Sequence, residues 1–253
     1  MPARIRLDTL LHERGLVESR SRGQALILAG QVRVDGQTVT KAGSMVDAQA
    51  ELSLERPDHP WVGRGGLKLS HALDIFAVDP SGRTGLDVGA STGGFTDVLL
   101  ARGARTVVAL DVGHGQLAWK LRRDERVVVR ERQHIGSVTP ETLPPELQPF
   151  GVITVDVSFI SVRYFLDRLP ALLAPDGDLV ALVKPQFEAG RIEVGRGGVV
   201  RDPSIHERVV HDVAARAAEV GLTSVATTPS PIRGAEGNRE FFLHLRLAPG
   251  AGG

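Results

Sequence analysis

The spacing of apolar positions changes character along this chain, and each change marks an element. Near the N-terminus Leu7, Leu10 and Leu11 have helical spacing; Ser21-x-x-Gln24 reads as a capping box opening a second helix through Leu28, with Gly30 as its stop. Val32 and Val34 then alternate with polar residues ahead of Asp35-Gly36, a tight-hairpin dipeptide, and Val39 resumes the extended pattern. A small α+β unit of two helices and a hairpin is predicted, followed by extended chain to near Leu54. Arg56-Pro-Asp-His-Pro60, stiffened by two prolines, reads as a linker. The expected division is a first domain over 1–56, a linker over 57–66 and a larger domain over 67–253.

In that larger domain Leu69, Ala72, Leu73 and Phe76 form a helical stripe, after which short apolar runs alternate with helical patterns. Strands are predicted at 85–88, 106–110, 127–130, 152–155, 179–183, 224–227 and 241–247. Strands alternating with helices imply an α/β fold, a mostly parallel Rossmann-like sheet covered on both faces. A long helix between the fifth and sixth strands has Asp202 as N-cap, Pro203 in its first turn and Gly221 as its stop. The Pro- and Gly-rich segment 228–239 cannot easily supply a crossover helix, so the last strand is predicted to return antiparallel, appended to the parallel sheet. If the sixth strand runs with the others, that return brings Glu240 to the carboxyl edge carrying Asp156 and Lys184, where open parallel sheets bind ligands.

A chain of 253 residues, 42% hydrophobic and 24% charged, is long enough for one sizeable core and a small appendage. Formal net charge is zero, so a nucleic-acid surface has to arise from local clustering. Such clustering exists: over residues 4–41 seven basic residues, Arg4, Arg6, Arg14, Arg20, Arg22, Arg33 and Lys41, face four acidic ones, Asp8, Glu13, Glu18 and Asp35. The absence of cysteine excludes disulfides, thiolate metal sites and every cysteine-nucleophile mechanism. No run approaches the length of a membrane span, and the N-terminus lacks the apolar segment of a signal peptide, so a cytoplasmic protein without membrane contact is expected. His206 and His211 are five apart and off a common helix face, no H-E-x-x-H occurs, and no metal is expected. Trp61 and Trp119 read as packing residues, Ser158 and Ser161 as loop or cap residues.

Candidate chemistry centres on Asp87-Val-Gly-Ala-Ser-Thr-Gly-Gly94, a turn that follows a predicted strand and opens a helix at Phe95. Its glycines let backbone pass close to a ligand, and the helix N-terminus can face it. Asp111, about twenty residues on at the next strand end, suits hydrogen bonds from ribose hydroxyls. The spacing is neither G-x-G-x-x-G nor the lysine-bearing phosphate loop; S-adenosylmethionine, with a ribose and no phosphate, is the better fit. Around this turn Lys68, Asp156, Lys184 and Glu240 each sit where a predicted strand or helix abuts a loop. Together they suit a site that deprotonates a weakly acidic hydroxyl beside a nucleotide-like cofactor, although Lys68 taken alone reads as a solvated surface charge.

Several segments are familiar. Arg6-Leu-Asp-Thr-Leu-Leu11, Ser19-Arg20 and Ala29-Gly30-Gln-Val-Arg-Val-Asp-Gly36 resemble the alpha-L RNA-binding module of ribosomal proteins and pseudouridine synthases. Arg64-Gly-Gly-Leu-Lys68, Asp87 to Thr96, Asp111-Val-Gly-His-Gly-Gln-Leu117, Asp156-Val-Ser-Phe-Ile-Ser161, Val183-Lys-Pro-Gln-Phe187 and Gly237-Asn-Arg-Glu240 resemble, in order, the TlyA family of ribosomal RNA ribose 2'-O-methyltransferases, some of them labelled haemolysins. The resemblance implies Lys68, Asp156, Lys184 and Glu240 as a catalytic tetrad. It implies S-adenosylmethionine held by Asp87, Gly89, Ala90, Ser91, Gly93, Gly94, Phe95, Asp111 and His134. Ribosomal RNA or ribosomal subunits are the implied partner, met by Arg4, Arg6, Arg20 and Lys41, with no obligate protein partner evident. Gln133-His134 stands where the family has Thr-Asn near the adenine, and Gly63 where serine is common.

For a ribose hydroxyl, two lysines that disfavour each other's charge can leave one neutral enough to act as base, and Lys184 is the expected base, with Lys68, Asp156 and Glu240 orienting it and balancing charge. Competing expectations are a non-catalytic RNA-binding or ribosome-assembly factor and, less favoured, a membrane-lytic protein. An amino-directed methyltransferase of the [DN]-P-P-[FYW] type is disfavoured because the corresponding strand end reads Asp156-Val-Ser-Phe159.

Overall fold

The structure, a computed structural model, describes residues 4–17, 19–54, 59–234 and 237–250. The expected boundary at 56/57 and residues 57 and 58 of the expected linker lie outside the described residues. The chain divides into two compact units, Met1–Arg64 and Gly65–Gly253.

The first unit runs β1 (Arg4–Arg6), α1 (Leu7–Glu13), α2 (Arg20–Leu28), β2 (Val32–Val34), β3 (Gln37–Thr38), β4 (Met45–Asp47) and β5 (Leu52–Leu54). Leu7, Leu10 and Leu11 do share a buried face, packed with Val17, Ile27, Val32 and Val46. The hairpin turn is where Asp35-Gly36 places it, both residues left-handed at φ 49° and 79° as a primed turn requires. Strand β1, polar in sequence and so invisible to periodicity, pairs antiparallel with β4, while β2 lies between β3 and β5. One expectation is corrected: α2 is capped by Ser19, not Ser21. Ser19 has the extended backbone of a cap, and its hydroxyl accepts from Arg22 N–H at 3.2 Å. Gln24 is therefore released from a capping box and donates to buried Asp8 at 2.6 Å.

The second unit runs α3 (Gly65–Phe76), β6 (Thr84–Val88), α4 (Gly94–Ala101), β7 (Thr106–Leu110), α5 (Trp119–Arg122), β8 (Val127–Arg130), β9 (Phe150–Val155), β10 (Leu173–Val183), α6 (Pro185–Glu188), α7 (Pro203–Glu219), β11 (Leu222–Pro229) and β12 (Phe241–Leu247). Every predicted strand forms, and α7 has its Asp202 cap and its Gly221 stop at φ 83°. The sheet order is β11-β12-β10-β9-β6-β7-β8, with β12 antiparallel to both neighbours. The last strand returns antiparallel as expected, and it lies between β10 and β11. Burial explains this, because Phe242, Leu243 and Leu245 are inaccessible whereas β11, exposed at Thr223, Ser224 and Val225 and ending in Pro229, has the polarity of an edge strand.

The crossovers between β8 and β9 and between β9 and β10 also depart from expectation. They carry single 3-10 turns, at Ile135–Ser137, Pro140–Thr142, Pro145–Leu147, Val162–Tyr164, Leu166–Arg168 and Pro170–Leu172, in place of full helices. Pro140, Pro144, Pro145, Pro149 and Pro170 interrupt any continuous helical ladder there. The turns still cover the sheet, burying Val138, Leu143, Phe165, Leu166, Leu169 and Leu172.

One buried acid ties three elements of this unit. Asp87, inaccessible on β6, accepts from Thr96 of α4 at 2.6 Å and from Thr154 of β9 at 3.0 Å. Burial pushes its carboxyl up to about 7 despite those two donors, and the nearby charge of Asp156 adds to the rise. Because the folded state holds this proton more tightly than the unfolded chain, the contribution to stability is complete below about pH 4 and is lost as pH rises through about 7.

Ser19→Ala should cost the first unit about 1 kcal/mol and Ser21→Ala less than half of that, read from denaturant unfolding; the reverse ranking would restore Ser21 as the cap. Between about pH 5 and pH 8 the unfolding free energy of the wild type should fall more steeply than that of Asp87→Asn, which cannot titrate; parallel curves would show that Asp87 is ionised throughout.

Candidate active site

The turn after β6 is shaped by two close backbone approaches. Gly89, at φ 85°, lies against the Asp156 carbonyl, and a Cβ there would collide with that oxygen. The Gly89 and Ala90 amides both donate to Leu110 O, at 2.8 and 3.0 Å, closing the turn onto β7. Gly94 provides the second approach: its Cβ would meet Gly66 N at 2.9 Å, so the N-terminus of α4 touches that of α3 because Gly94 carries no side chain. Gly93 is left-handed at φ 95° with Leu121 filling the space beside it. Phe95 is a core residue, buried against Phe242 at 6.1 Å between ring centroids, and Asp87 braces the turn from beneath with both carboxylate oxygens engaged. Among the sequence-derived cofactor residues, Ser91 is the exposed member of the turn.

Asp111, just beyond β7, faces that turn. Its carboxylate accepts from Ser91 N–H at 2.7 Å and Gly113 N–H at 2.6 Å, which orients both oxygens and leaves lone pairs for further donors. The loop it begins is fastened by Glu131, which accepts from Gly115 N–H at 3.0 Å, from His114 at 3.0 Å and from Arg122. Burial alone would raise the Glu131 carboxyl; those donors hold it below its ordinary range. Val112, 65% exposed between Asp111 and Gly113, offers an apolar surface that the sequence pattern did not single out. His134 is exposed and accepts from Gly136 N–H through Nδ1 at 2.9 Å, which leaves Nε2 as the protonated nitrogen. The cradle fits a nucleoside: glycines where a side chain would intrude, an oriented carboxylate, and no lysine suited to a phosphate chain.

The four sequence-predicted catalytic residues come together as two ion pairs. Val155 pairs with Ala181, and Val183 with Phe241, so Asp156, Lys184 and Glu240 leave three adjacent strands at the same edge. Lys68, in the first turns of α3, reaches Glu240 with Nζ–Oε2 at 2.5 Å. Lys184 Nζ lies 2.5 Å from Asp156 Oδ1, off the line of a hydrogen bond, and donates to Ser158 Oγ at 2.9 Å. Glu240 is buried with Gly234 beneath its carboxylate, and Asn238, also buried, holds that segment by accepting from Val200 N–H at 2.9 Å and donating to Gly198 O at 2.8 Å. The sequence suggested lysines repelling each other; the structure gives each its own carboxylate.

Three side chains show features that their sequence reading did not include. Ser158 is no simple loop residue, since it receives the Lys184 hydrogen bond. Trp119, expected in packing, is 58% exposed at the start of α5. Phe159, unremarked in sequence, is 92% exposed and left-handed at φ 67°, resting on Phe187 at 5.4 Å between centroids. A bulky residue in that backbone region is strained, and the signal for it lay only in its place three residues after Asp156.

In the first unit Arg4, Arg6, Arg20 and Lys41 are all exposed. Arg6 and Arg20 also approach buried Asp8, at 2.7 and 3.5 Å, and the Arg6 hydrogen bonds hold its carboxyl well below the usual range.

The family model of FtsJ-like methyltransferases matches residues 61–247, and that of the S4 domain residues 5–52. The chain is 48% identical to the 16S/23S rRNA (cytidine-2'-O)-methyltransferase TlyA of Mycobacterium tuberculosis, across 97% of this chain and 91% of the relative. It is 46% identical to YqxC of Bacillus subtilis across 98% and 87%. The solved structure of a Streptococcus thermophilus protein described as a hemolysin is 42% identical and superposes with a TM-score of 0.75 over 98% of this chain and 90% of that one. With its glycine turn, its paired lysines and carboxylates and an S4 domain ahead of them, the chain belongs to the TlyA group of FtsJ-like, S-adenosylmethionine-dependent methyltransferases.

Proposed function

We propose that this protein methylates a ribose 2'-hydroxyl in ribosomal RNA. The observation that carries the reading is the pair of lysine–carboxylate contacts at three adjacent strand ends, beside a turn shaped for a nucleoside cofactor. The Mycobacterium tuberculosis relative, named for cytidine-2'-O transfer to 16S and 23S rRNA, supports the same chemistry and substrate. S-adenosylmethionine, when bound, supplies a methyl group already activated on a sulfonium. The protein's own work is then to align the hydroxyl oxygen and remove its proton.

Lys184 is the group placed to take up this proton, once its own has passed to water. Asp156 and Ser158 fix its Nζ from two sides, so its remaining direction is open to a substrate oxygen. The Lys68–Glu240 pair anchors the neighbouring hydroxyl and keeps the local charge near zero. On methylation of O2' its proton would pass to Lys184 and from there to water. Phe159 offers its exposed ring to a base lifted out of the RNA stack. The glycine turn and Asp111 hold the ribose and adenine side of the cofactor, with Ser91, Val112 and His134 at its rim.

In this reading residues 1–56 form an RNA-docking module, 57–66 a linker and 67–253 the transfer domain, at work in the cytoplasm. Arg4, Arg6, Arg20 and Lys41 meet phosphates of structured RNA. The hemolysin name of one relative has no counterpart in a spanning element, since no helix among the described residues is long and apolar enough to cross a membrane.

Labelled S-adenosylmethionine offered with small subunits, large subunits and naked ribosomal RNA should leave label on ribose in at least one of them. Lys184→Met should abolish that label while cofactor affinity stays within a few-fold; unchanged turnover would remove Lys184 from the chemistry. Absence of label despite cofactor and RNA binding would favour an assembly factor. Reversing the charges of Arg4, Arg6, Arg20 and Lys41 should weaken subunit binding and flatten its dependence on log salt by about 0.7 to 0.9 for each phosphate that is no longer neutralised; an unchanged slope would move the RNA face elsewhere.

A further inference from the structure

Asp156 and Lys184 each begin a loop, and two loops leaving adjacent parallel strands are free to splay unless something joins them. Glu188, the last residue of α6, spans that gap. Its side chain is 1% exposed, and Oε1 accepts from Val162 N–H at 2.8 Å while Oε2 accepts from Ser161 Oγ at 2.5 Å and Arg163 Nε at 3.1 Å. Arg163 also donates through Nη2 to the Glu188 carbonyl at 2.9 Å. The segment after β10 is thereby stitched to the segment after β9 at three successive residues.

We infer that Glu188 is a positioning residue for the Asp156–Lys184 pair, its buried carboxylate fixing how far apart the acid-bearing and lysine-bearing loops stand. The inference rests on the methyl-transfer reading. Between the anchor strands and this buckle lie only residues 156–160 and 184–187, and these carry the Lys184–Ser158 hydrogen bond and the Phe159–Phe187 contact. Each loop is thus tied at both ends, by sheet register at one and by Glu188 at the other. A buried ionised group is a poor choice for stability alone, since an apolar contact of equal volume serves at least as well. Its directional bonds fix register, and a displacement of the order of 1 Å at a reacting group costs on the order of a hundredfold in rate.

Glu188→Gln keeps the volume but turns one acceptor into a donor facing Val162 N–H or Arg163. Transfer to the ribosomal substrate that the wild type methylates should show kcat reduced about tenfold or more, with KM for RNA and cofactor affinity by calorimetry each within a few-fold. The pH dependence of kcat should shift along with it, because the surroundings of Lys184 change; a merely structural loss would lower amplitude and leave the profile in place. Assays run well below the unfolding temperature of each variant, and Ser161→Ala, which removes the hydroxyl that donates to Glu188 and accepts from Arg163, decides the matter if Glu188→Gln fails to fold. Its kcat should fall several-fold with the same split. Wild-type kcat in a folded variant, or a loss confined to cofactor affinity, would overturn the inference. A wild type that transfers no methyl to any ribosomal substrate would instead count against the proposed function.

Discussion

The backbone crossing at Gly89 and Asp156 sets the position of everything else in the larger unit. The turn proposed to cradle the cofactor passes over the carbonyl of Asp156, the proposed catalytic acid, with no room for a side chain between them. Asp156 in turn stays in register with β6 through its amide, which donates to Val88 O at 2.9 Å. Cofactor turn and acid are therefore one rigid piece, and their separation is set by peptide geometry instead of side-chain rotamers. Gly94 against Gly66 extends the same device to α3, so that Lys68 arrives at Glu240 by backbone contact as well.

Charge is handled differently at the two ends of the strands. At the mouth, two lysines meet two carboxylates in separate pairs. Lower in the sheet, buried Asp178 accepts from His244 at 2.8 Å, Arg246 at 2.7 Å and Arg83 at 2.8 Å. Burial there would raise the Asp178 carboxyl, and the three donors overcome it, holding the group well below the ordinary range. That acid is saturated and ties β10, β12 and the start of β6 together. The mouth pairs leave capacity unused: Lys184 has one aligned bond and Asp156 Oδ1 none. Unfilled hydrogen-bonding capacity at an open strand edge marks a place built for a substrate.

Much of this was legible in the sequence because strand periodicity, glycine turns and the acidic strand end are local signals. The seven strands of the larger unit, the α7 cap and the antiparallel return needed only neighbouring residues to be read. What escaped depended on partners distant in sequence. Whether Ser19 or Ser21 caps α2 turned on where Gln24 found Asp8, sixteen residues away. The insertion of β12 beside β10 depended on comparing the burial of two strands, which periodicity does not rank. Proline-broken crossovers looked helical in their apolar spacing while lacking the donors a helix needs. Resemblance to family motifs singled out Lys68, Asp156, Lys184 and Glu240, yet their pairing into Lys68–Glu240 and Lys184–Asp156 was not legible, since it is decided by sheet register.

That pairing bears on how a chain of zero net charge can engage RNA. Lysines matched to carboxylates contribute little long-range attraction, because each pair is nearly neutral at the distance of an approaching phosphate. In the proposed function attraction comes from exposed basic residues such as Arg4 and Lys41. In the proposed function recognition and chemistry fall to different cations, one set exposed and the other buried and paired. The site can hold its lysines in fixed geometry without also binding phosphate at that spot, where a backbone phosphate would compete with the ribose hydroxyl for the same ammonium. For the proposed activity, neutral pairs at the mouth favour selection of a hydroxyl in a polymer that carries a charge on every nucleotide.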